Sequence, residues 1–233
     1  MLASNNLSTL LKRYHNSFAS VIDLSFNDDE VFVFDFSERN NELNSFDIDN
    51  IDQFSDYVKT KLHQYKCKIG AGGYLENRII YKRSKHFGEG NNSRIIHLGV
   101  DLWVDAYTRI ISPIDGIIHS FQVNDNYGDY GPTIILEHQI EEEKFYTLYG
   151  HLSLKSLEGK SQGMKISKGE IFAELGDKNE NGFWAPHLHF QVMTDMLGKN
   201  GDFPGVVSLD ELDFYKSICP DPNLILNLKK LRL

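Results

Sequence analysis

Four histidines and one aspartate stand in three separated places where the sequence is strand-like and punctuated by glycine. They lie in H-L-G-V-D, from His97 to Asp101, in Y-G-H-L, around His151, and in P-H-L-H-F, which holds His187 and His189. A mononuclear zinc hydrolase needs such a set, because three side chains hold the metal and two move protons. The central question is therefore whether the three segments meet in the folded chain.

Alternation along a strand places His187 and His189 on the same face, about 7 Å apart. One histidine of such a pair can bind a metal while the other stands beside it. Gly99 permits a bend that would bring His97 and Asp101 together. His97, Asp101 and His189 would then supply two nitrogens and one oxygen, and the fourth tetrahedral position would stay open to water, as in catalytic zinc sites.

Each segment alone has a simpler interpretation. An H-x-H pair in a strand is more often a surface or core pair than a metal site, H-x-x-x-D is a weaker signal still, and His151 also suits a turn cap. The order of the three segments, and the strands and glycines between them, favour a shared site. The remaining histidines have no partner in sequence and are interpreted as surface or core residues: His15, His63, His86, His119 and His138.

Composition narrows the class of protein. The 233 residues are enough to bury a hydrophobic core, and a net charge of −9 argues against binding to nucleic acid or an anionic membrane. No apolar run reaches the roughly 18 residues of a membrane span, and the N-terminal residues lack the order of a secretory signal. We therefore expect a cytoplasmic protein, with the cell envelope as the alternative if another export route exists. Cys67 and Cys219 match no metal spacing and are interpreted as structural free thiols.

The sequence predicts a mainly β fold, with antiparallel sheets that are sandwiched or curled, and a small α/β extension at the N-terminus. We expect an extension over residues 1–66, a core over 67–195 and a tail over 196–233 that wraps the core irregularly. Helical periodicity predicts helices over about 7–21 and 51–65. Strands close together, with turns between them, indicate antiparallel sheet; they are expected at 31–36, 117–121, 133–137, 145–149, 171–175 and 187–192.

The stretch from about His97 to Val192 resembles the M23 family of zinc metallopeptidases, of the lysostaphin and LytM type, which cleave peptide cross-bridges of bacterial peptidoglycan. The segments that carry the resemblance stand in the family's order over roughly 100 residues: H-L-G-V-D, S-P-I-D-G-I-I, T-I-I-L-E-H, Y-T-L-Y-G-H-L, G-M-K-I-S-K-G-E-I and A-P-H-L-H-F. The resemblance implies that His97, Asp101 and His189 bind Zn²⁺, and that His151 and His187 are catalytic.

Two features differ from the usual enzyme of this family. Neither a secretion signal nor a wall-binding module is recognisable in the sequence. The tail, through G-D-F-P-G-V and C-P-D-P-N-L-I-L, is similar to M23-type segments of larger proteins with kinase-like and class III aminotransferase-like domains. That similarity implies a small or intracellular substrate.

The leading hypothesis is a zinc-dependent endopeptidase or amidase, most of all an endopeptidase that uses activated water on glycine-containing or cross-bridge peptide bonds, with His151 or His187 as the general base. The alternatives are a non-catalytic M23-like module that binds peptide or protein, an intracellular hydrolase of a small substrate, and a scaffold with a structural zinc site. If residues 1–66 cover the groove and hold the enzyme latent, deleting them should raise activity.

Overall fold

The computed structural model describes residues 2–83 and 93–232, and β-strands account for most of its regular structure. The helices are α1 (Leu2–Tyr14), α2 (Ile51–Gln64), α3 (Leu212–Ile218) and α4 (Asn223–Leu226). The strands are β1 (Val31–Phe34), β2 (Ile69–Gly72), β3 (Ile96–His97), β4 (Val100–Trp103), β5 (Arg109–Ile111), β6 (Gly116–Asn124), β7 (Gly131–Ile140), β8 (Glu143–Gly150), β9 (Lys165–Ile166), β10 (Ile171–Glu174), β11 (His187–Met193) and β12 (Val206–Val207).

One eight-stranded sheet dominates the fold, in the order β1-β2-β4-β11-β8-β7-β6-β9. Its neighbouring strands are antiparallel except for β1 and β2, which run parallel. Two short antiparallel pairs accompany it, β10 with β5 and β12 with β3. The mainly β, curled-sheet class expected from the sequence is confirmed, and the parallel pair makes the sheet mixed.

The two faces of the central strands have different tasks. Leu102 on β4 and Leu188 and Phe190 on β11 point to one face and are buried in the main hydrophobic core. Because side chains alternate along a strand, Asp101 and His189 must point to the opposite face. The apolar residues of these strands therefore anchor the sheet while the polar residues between them stand on its second face.

The N-terminal segment joins the sheet directly. α1 ends at Tyr14, earlier than the expected helix over 7–21, while α2 begins where predicted, with the Asn50 side chain accepting hydrogen bonds from the first turn. β1 continues the sheet beyond β2. Phe36 and Phe54 pack on Trp103 of β4, each with ring centroids 5.5 Å from the indole. Residues 31–54 thus pack on the second face of the sheet, the face to which Asp101 and His189 point.

The tail is more regular than expected. The prolines of the tail predict an irregular path, but β12, α3 and α4 follow residue 203. β12 forms because it pairs with β3. Cys67 and Cys219 are both free thiols. None of the helices in the described parts of the chain has the length and hydrophobicity of a membrane span.

Candidate active site

Strand pairing brings four of the candidate residues to one place. β11 pairs with β4 so that His189 lies opposite Asp101, and it pairs with β8 so that His189 also lies opposite Gly150. Residues directly opposite one another in an antiparallel pair point to the same face. His187 shares that face because it stands two positions before His189, and His151 follows Gly150 at the end of β8.

His97 reaches the same place through the tail of the chain. It lies on β3, where Val206 of β12 is its cross-strand partner, and the Leu98 amide donates to the Gly205 carbonyl at 2.8 Å. Gly205 packs so closely on Tyr130 that a Cβ at this position would stand 1.7 Å from the Tyr130 hydroxyl. Residues 203–207 therefore form part of the site's framework, a role that the sequence interpretation did not assign to the tail.

Three donor atoms of His97, Asp101 and His189 form a compact triangle. Nε2 of His97 lies 3.0 Å from Nδ1 of His189 and 3.2 Å from Oδ1 of Asp101. Nδ1 of His189 lies 3.1 Å from Oδ1 of Asp101. A tetrahedral zinc ion with ligand bonds of about 2.0–2.1 Å separates its ligand atoms by about 3.3 Å. The triangle therefore has the size of one face of a zinc coordination tetrahedron.

The other ring nitrogen of each candidate ligand binds a hydrogen-bond acceptor. Nδ1 of His97 lies 3.1 Å from the Gly73 carbonyl, and Nε2 of His189 lies 3.0 Å from Oε1 of Gln191. The Gln191 amide nitrogen donates to the Pro204 carbonyl at 3.1 Å, which fixes the orientation of the amide. The outer nitrogen of each ring thus faces a hydrogen-bond acceptor and the other nitrogen faces the triangle, the arrangement seen in metal-binding histidines.

The second oxygen of Asp101 is held by a residue that the sequence interpretation missed. Oδ2 accepts a hydrogen bond from Nη1 of Arg78 at 2.5 Å, and Nε of the same guanidinium donates to Glu76 at 2.6 Å. The sequence offered one signal for Glu76 and Arg78, which is their spacing of two residues shortly after the G-A-G-G run at 70–73.

The electrostatics of the triangle keep His97 neutral and Asp101 ionised. Burial first, and then the charge of Arg78, lowers the pKa of His97 to about 3. Burial would raise the pKa of Asp101, but His97 and Arg78 outweigh it and hold that pKa well below its ordinary value. Two imidazole nitrogens and an ionised carboxylate oxygen therefore converge on one position. Such a set of donors fits a zinc ion.

His151 and His187 stand side by side next to this triangle. Their ring centroids are 4.1 Å apart, and Nε2 of His187 is 3.9 Å from Oδ1 of Asp101. Nδ1 of His151 donates to the Asn181 carbonyl, and Nδ1 of His187 donates to the Ala185 carbonyl, both at 2.8 Å. In a neutral imidazole this leaves the lone pair on Nε2.

Both of these histidines are neutral near pH 7. Burial lowers the pKa of His187 to about 4, and burial together with His187 holds the pKa of His151 well below its ordinary value. His151 also adopts a φ of 64°, which is uncommon for a residue other than glycine. Its amide donates to the Tyr130 carbonyl at 2.8 Å, and its carbonyl accepts from the Gly176 amide at 2.9 Å. Two neighbouring segments thus hold the ring in this strained position.

The site opens into a cavity of about 170 Å³ that aromatic and charged residues line together. Trp103 stacks on His187 with ring centroids 4.1 Å apart, and the Trp184 ring centroid lies 6.1 Å from that of His187. Asp101, His151, His187 and His189 line the cavity, whereas His97 contributes from behind His189. None of residues 2–66 lines it.

The structure therefore brings all five candidate residues together, while their roles remain predictions. His138 lies elsewhere, buried and bonded to Thr147 and to the Asp115 carbonyl. His86 lies outside the described residues.

Comparison with known proteins finds a family match over the part of the chain that holds the five candidate residues. Residues 95–201 match peptidase family M23. A comparison with curated proteins gives no match.

Three similar solved structures illustrate the likeness. The first is a zinc-containing peptidase from Vibrio cholerae, at 25% identity and a TM-score of 0.34, covering 42% of this chain and 27% of its own. The second is a variant catalytic domain of the prophage-encoded M23 protein EnpA from Enterococcus faecalis, at 19% identity and a TM-score of 0.36; the match covers 47% of this chain and 79% of the EnpA domain. The third is the catalytic domain of the antimicrobial peptidase lysostaphin from Staphylococcus simulans, at 23% identity and a TM-score of 0.31; the match covers 52% of this chain and 80% of the lysostaphin domain. The chain thus spans about a quarter of the Vibrio cholerae protein.

Proposed function

We propose that this chain, whose residues 95–201 belong to peptidase family M23, is a zinc-dependent endopeptidase. One observation carries the proposal: the donor triangle of His97, Asp101 and His189 lies beside two neutral histidines that face the same cavity. A closed structural zinc site would use a fourth protein ligand and would have no need of that second pair. The two groups together fit hydrolysis better than scaffolding.

In this proposal His97, Asp101 and His189 hold the zinc ion. When bound, zinc supplies a Lewis acid that polarises a carbonyl and lowers the pKa of water. The neutral Nε2 of His151 or His187 accepts the proton of the attacking water, and the same pair returns a proton to the departing amine. With ring centroids 4.1 Å apart, the two imidazoles disfavour double protonation, because like charges so close repel in a buried site. The pair therefore carries one proton at a time.

The cavity favours peptides with little side-chain bulk. The rings of Trp184 and Tyr130 are buried in its wall, and about 170 Å³ is left next to the proposed metal site. An extended segment containing glycine brings its backbone to the donor triangle without a side chain that must fit between the rings. We therefore propose a glycine-containing peptide or a peptidoglycan cross-bridge as the substrate class.

Hydrolysis of defined substrates tests this proposal. The zinc-loaded protein is incubated with oligoglycine peptides and with peptidoglycan fragments, and newly formed amino groups are measured. We expect cleavage that stops when a chelator removes zinc and returns when zinc is restored. His151→Ala serves as the matched control, because it should retain zinc and lose turnover. A zinc-loaded protein that binds these peptides but cleaves none of them would support the non-catalytic module instead.

A further inference from the structure

Arg78 is a fully buried cation beside the proposed metal site. Its Nη1 donates to Oδ2 of Asp101 at 2.5 Å and lies 3.1 Å from the Tyr81 hydroxyl, while its Nε donates to Glu76 at 2.6 Å. Burying a guanidinium is costly unless it is paired and hydrogen-bonded. Arg78 also lies outside the residues that match the peptidase family. Its burial against a candidate metal ligand therefore calls for an explanation.

The sheet makes room for this guanidinium at one glycine. Gly72 of β2 lies opposite Asp101 of β4 in the antiparallel register, so any side chain at position 72 would point to the site face. A Cβ there would stand 2.6 Å from Nη2 and 3.6 Å from Cζ of Arg78. Glycine at 72 thus allows the guanidinium to lie flat against the strand, next to the carboxylate that it binds.

The N-terminal segment encloses the Arg78 guanidinium on the side away from Gly72. Glu76 accepts a hydrogen bond from the Phe36 amide at 2.8 Å through Oε1, and it accepts from Arg78 through Oε2. The Phe36 ring lies against the guanidinium, with Cζ 5.5 Å from the ring centroid. A chain of contacts therefore runs from Phe36 through Glu76 and Arg78 to Asp101, and it leaves the guanidinium little freedom to move.

We propose that Arg78 is a positioning residue that restricts Asp101 to a single oxygen in zinc binding. The inference rests on the proposed function. Nη1 of Arg78 is hydrogen-bonded to Oδ2 of Asp101. Oδ1 of Asp101 is therefore the oxygen that faces the ring nitrogens of His97 and His189, at 3.2 and 3.1 Å. Without the guanidinium both carboxylate oxygens are free to bind the metal. The second oxygen would then take the position that a catalytic zinc site keeps for water.

Cobalt spectroscopy of the full-length protein tests this idea without relying on turnover. Four-coordinate Co²⁺ absorbs visible light much more strongly than five-coordinate Co²⁺, so the band intensity reports whether Asp101 binds through one oxygen or two. We expect Arg78→Met to bind cobalt and lose the intense bands, and its zinc form to lose about 10- to 100-fold in kcat. Glu76→Gln is the matched control, because it keeps the Arg78–Asp101 contact and should keep the intense bands.

Arg78→Lys carries the test if the methionine variant does not fold. Lysine retains the charge, but its single nitrogen cannot replace the fork that binds Glu76 and Asp101 together, so weaker bands are again expected. A folded Arg78→Met or Arg78→Lys protein with the wild-type cobalt spectrum would overturn the inference. Band changes in a protein that cleaves no peptide would sustain the inference while the proposed function fails. A wild-type protein that binds no cobalt would overturn both.

Discussion

Substituting alanine for Gly99 should displace a proposed zinc ligand with a single methyl group. Gly99 was expected to allow a bend between His97 and Asp101, and the chain does bend there. However, its φ lies outside the positive range that favours glycine. The need for glycine comes from close approach instead, because a Cβ at this position would stand 2.5 Å from Cε1 and 2.7 Å from Nε2 of His189.

The size of the effect follows from these distances. Carbon atoms in ordinary contact are about 3.5–4.0 Å apart, so the His189 ring or the Gly99 backbone must move by about 1 Å. The Phe190 carbonyl, 2.9 Å from the added methyl, limits movement of the backbone. A shift of about 1 Å exceeds the tolerance of roughly 0.2 Å for a metal–ligand distance. Overpacking of this kind costs about 1–3 kcal/mol, which lowers Tm by roughly 2–12 °C in a chain of this size.

Zinc titration, thermal unfolding and peptide hydrolysis of Gly99→Ala provide the assay. We expect weaker zinc binding, a lower Tm and a loss of about 10²-fold in rate, the size typical of a misplaced catalytic group. Gly73→Ala is the matched control, since its Cβ would meet only Glu76, at 3.8 Å. A Gly99→Ala protein with wild-type zinc affinity would refute the assignment of His189 as a ligand held in place by close packing.

Three further predictions concern the framework of the site and the stability of the fold at low pH. Gln191→Leu removes the acceptor for Nε2 of His189 and should weaken zinc binding by about 10- to 100-fold; unchanged affinity in a zinc titration would contradict this. Deleting residues 1–66 should lower stability and activity, because it removes Phe36 and Phe54 and uncovers the buried ring of Trp103 on which they pack; a truncated protein with raised activity would support the latency hypothesis instead.

The third concerns pH. Burial lowers the pKa of His138 to about 4, below the value of about 6.5 in an unfolded chain, so up to about 3 kcal/mol of stability should be lost as pH falls from about 6.5 to about 4. Denaturant unfolding at both pH values should show a smaller loss for His138→Gln, and an equal loss would contradict the reasoning.

Much of the site could be predicted because its residues follow the period of their strands. His187 and His189 share a face through the two-residue repeat, and the apolar residues between and after them face the core. The strands expected over 133–137 and 145–149 are confirmed within β7 and β8, since alternation and turn residues agree there. The mainly β class followed from the same signals.

Long-range contacts could not be predicted in the same way. Arg78 meets Asp101 only because β2 pairs with β4, and Gln191 is oriented by the Pro204 carbonyl of the tail. No local spacing reports either contact. The position of the N-terminal segment also depends on a long-range contact, because Phe36 packs on Trp103 beside the site while none of residues 2–66 lines the cavity. Latency through residues 1–66 stays a prediction.

The division of roles along β11 is the central claim, and two matched variants test it most directly. His187 and His189 lie two residues apart on one face of the same strand, so alanine at either position perturbs the fold similarly. Zinc content and peptide hydrolysis are measured on both purified variants. We expect His189→Ala to lose zinc, whereas His187→Ala should retain zinc and lose turnover. Equal zinc content in the two variants would show that His189 is not a ligand distinct in role from His187.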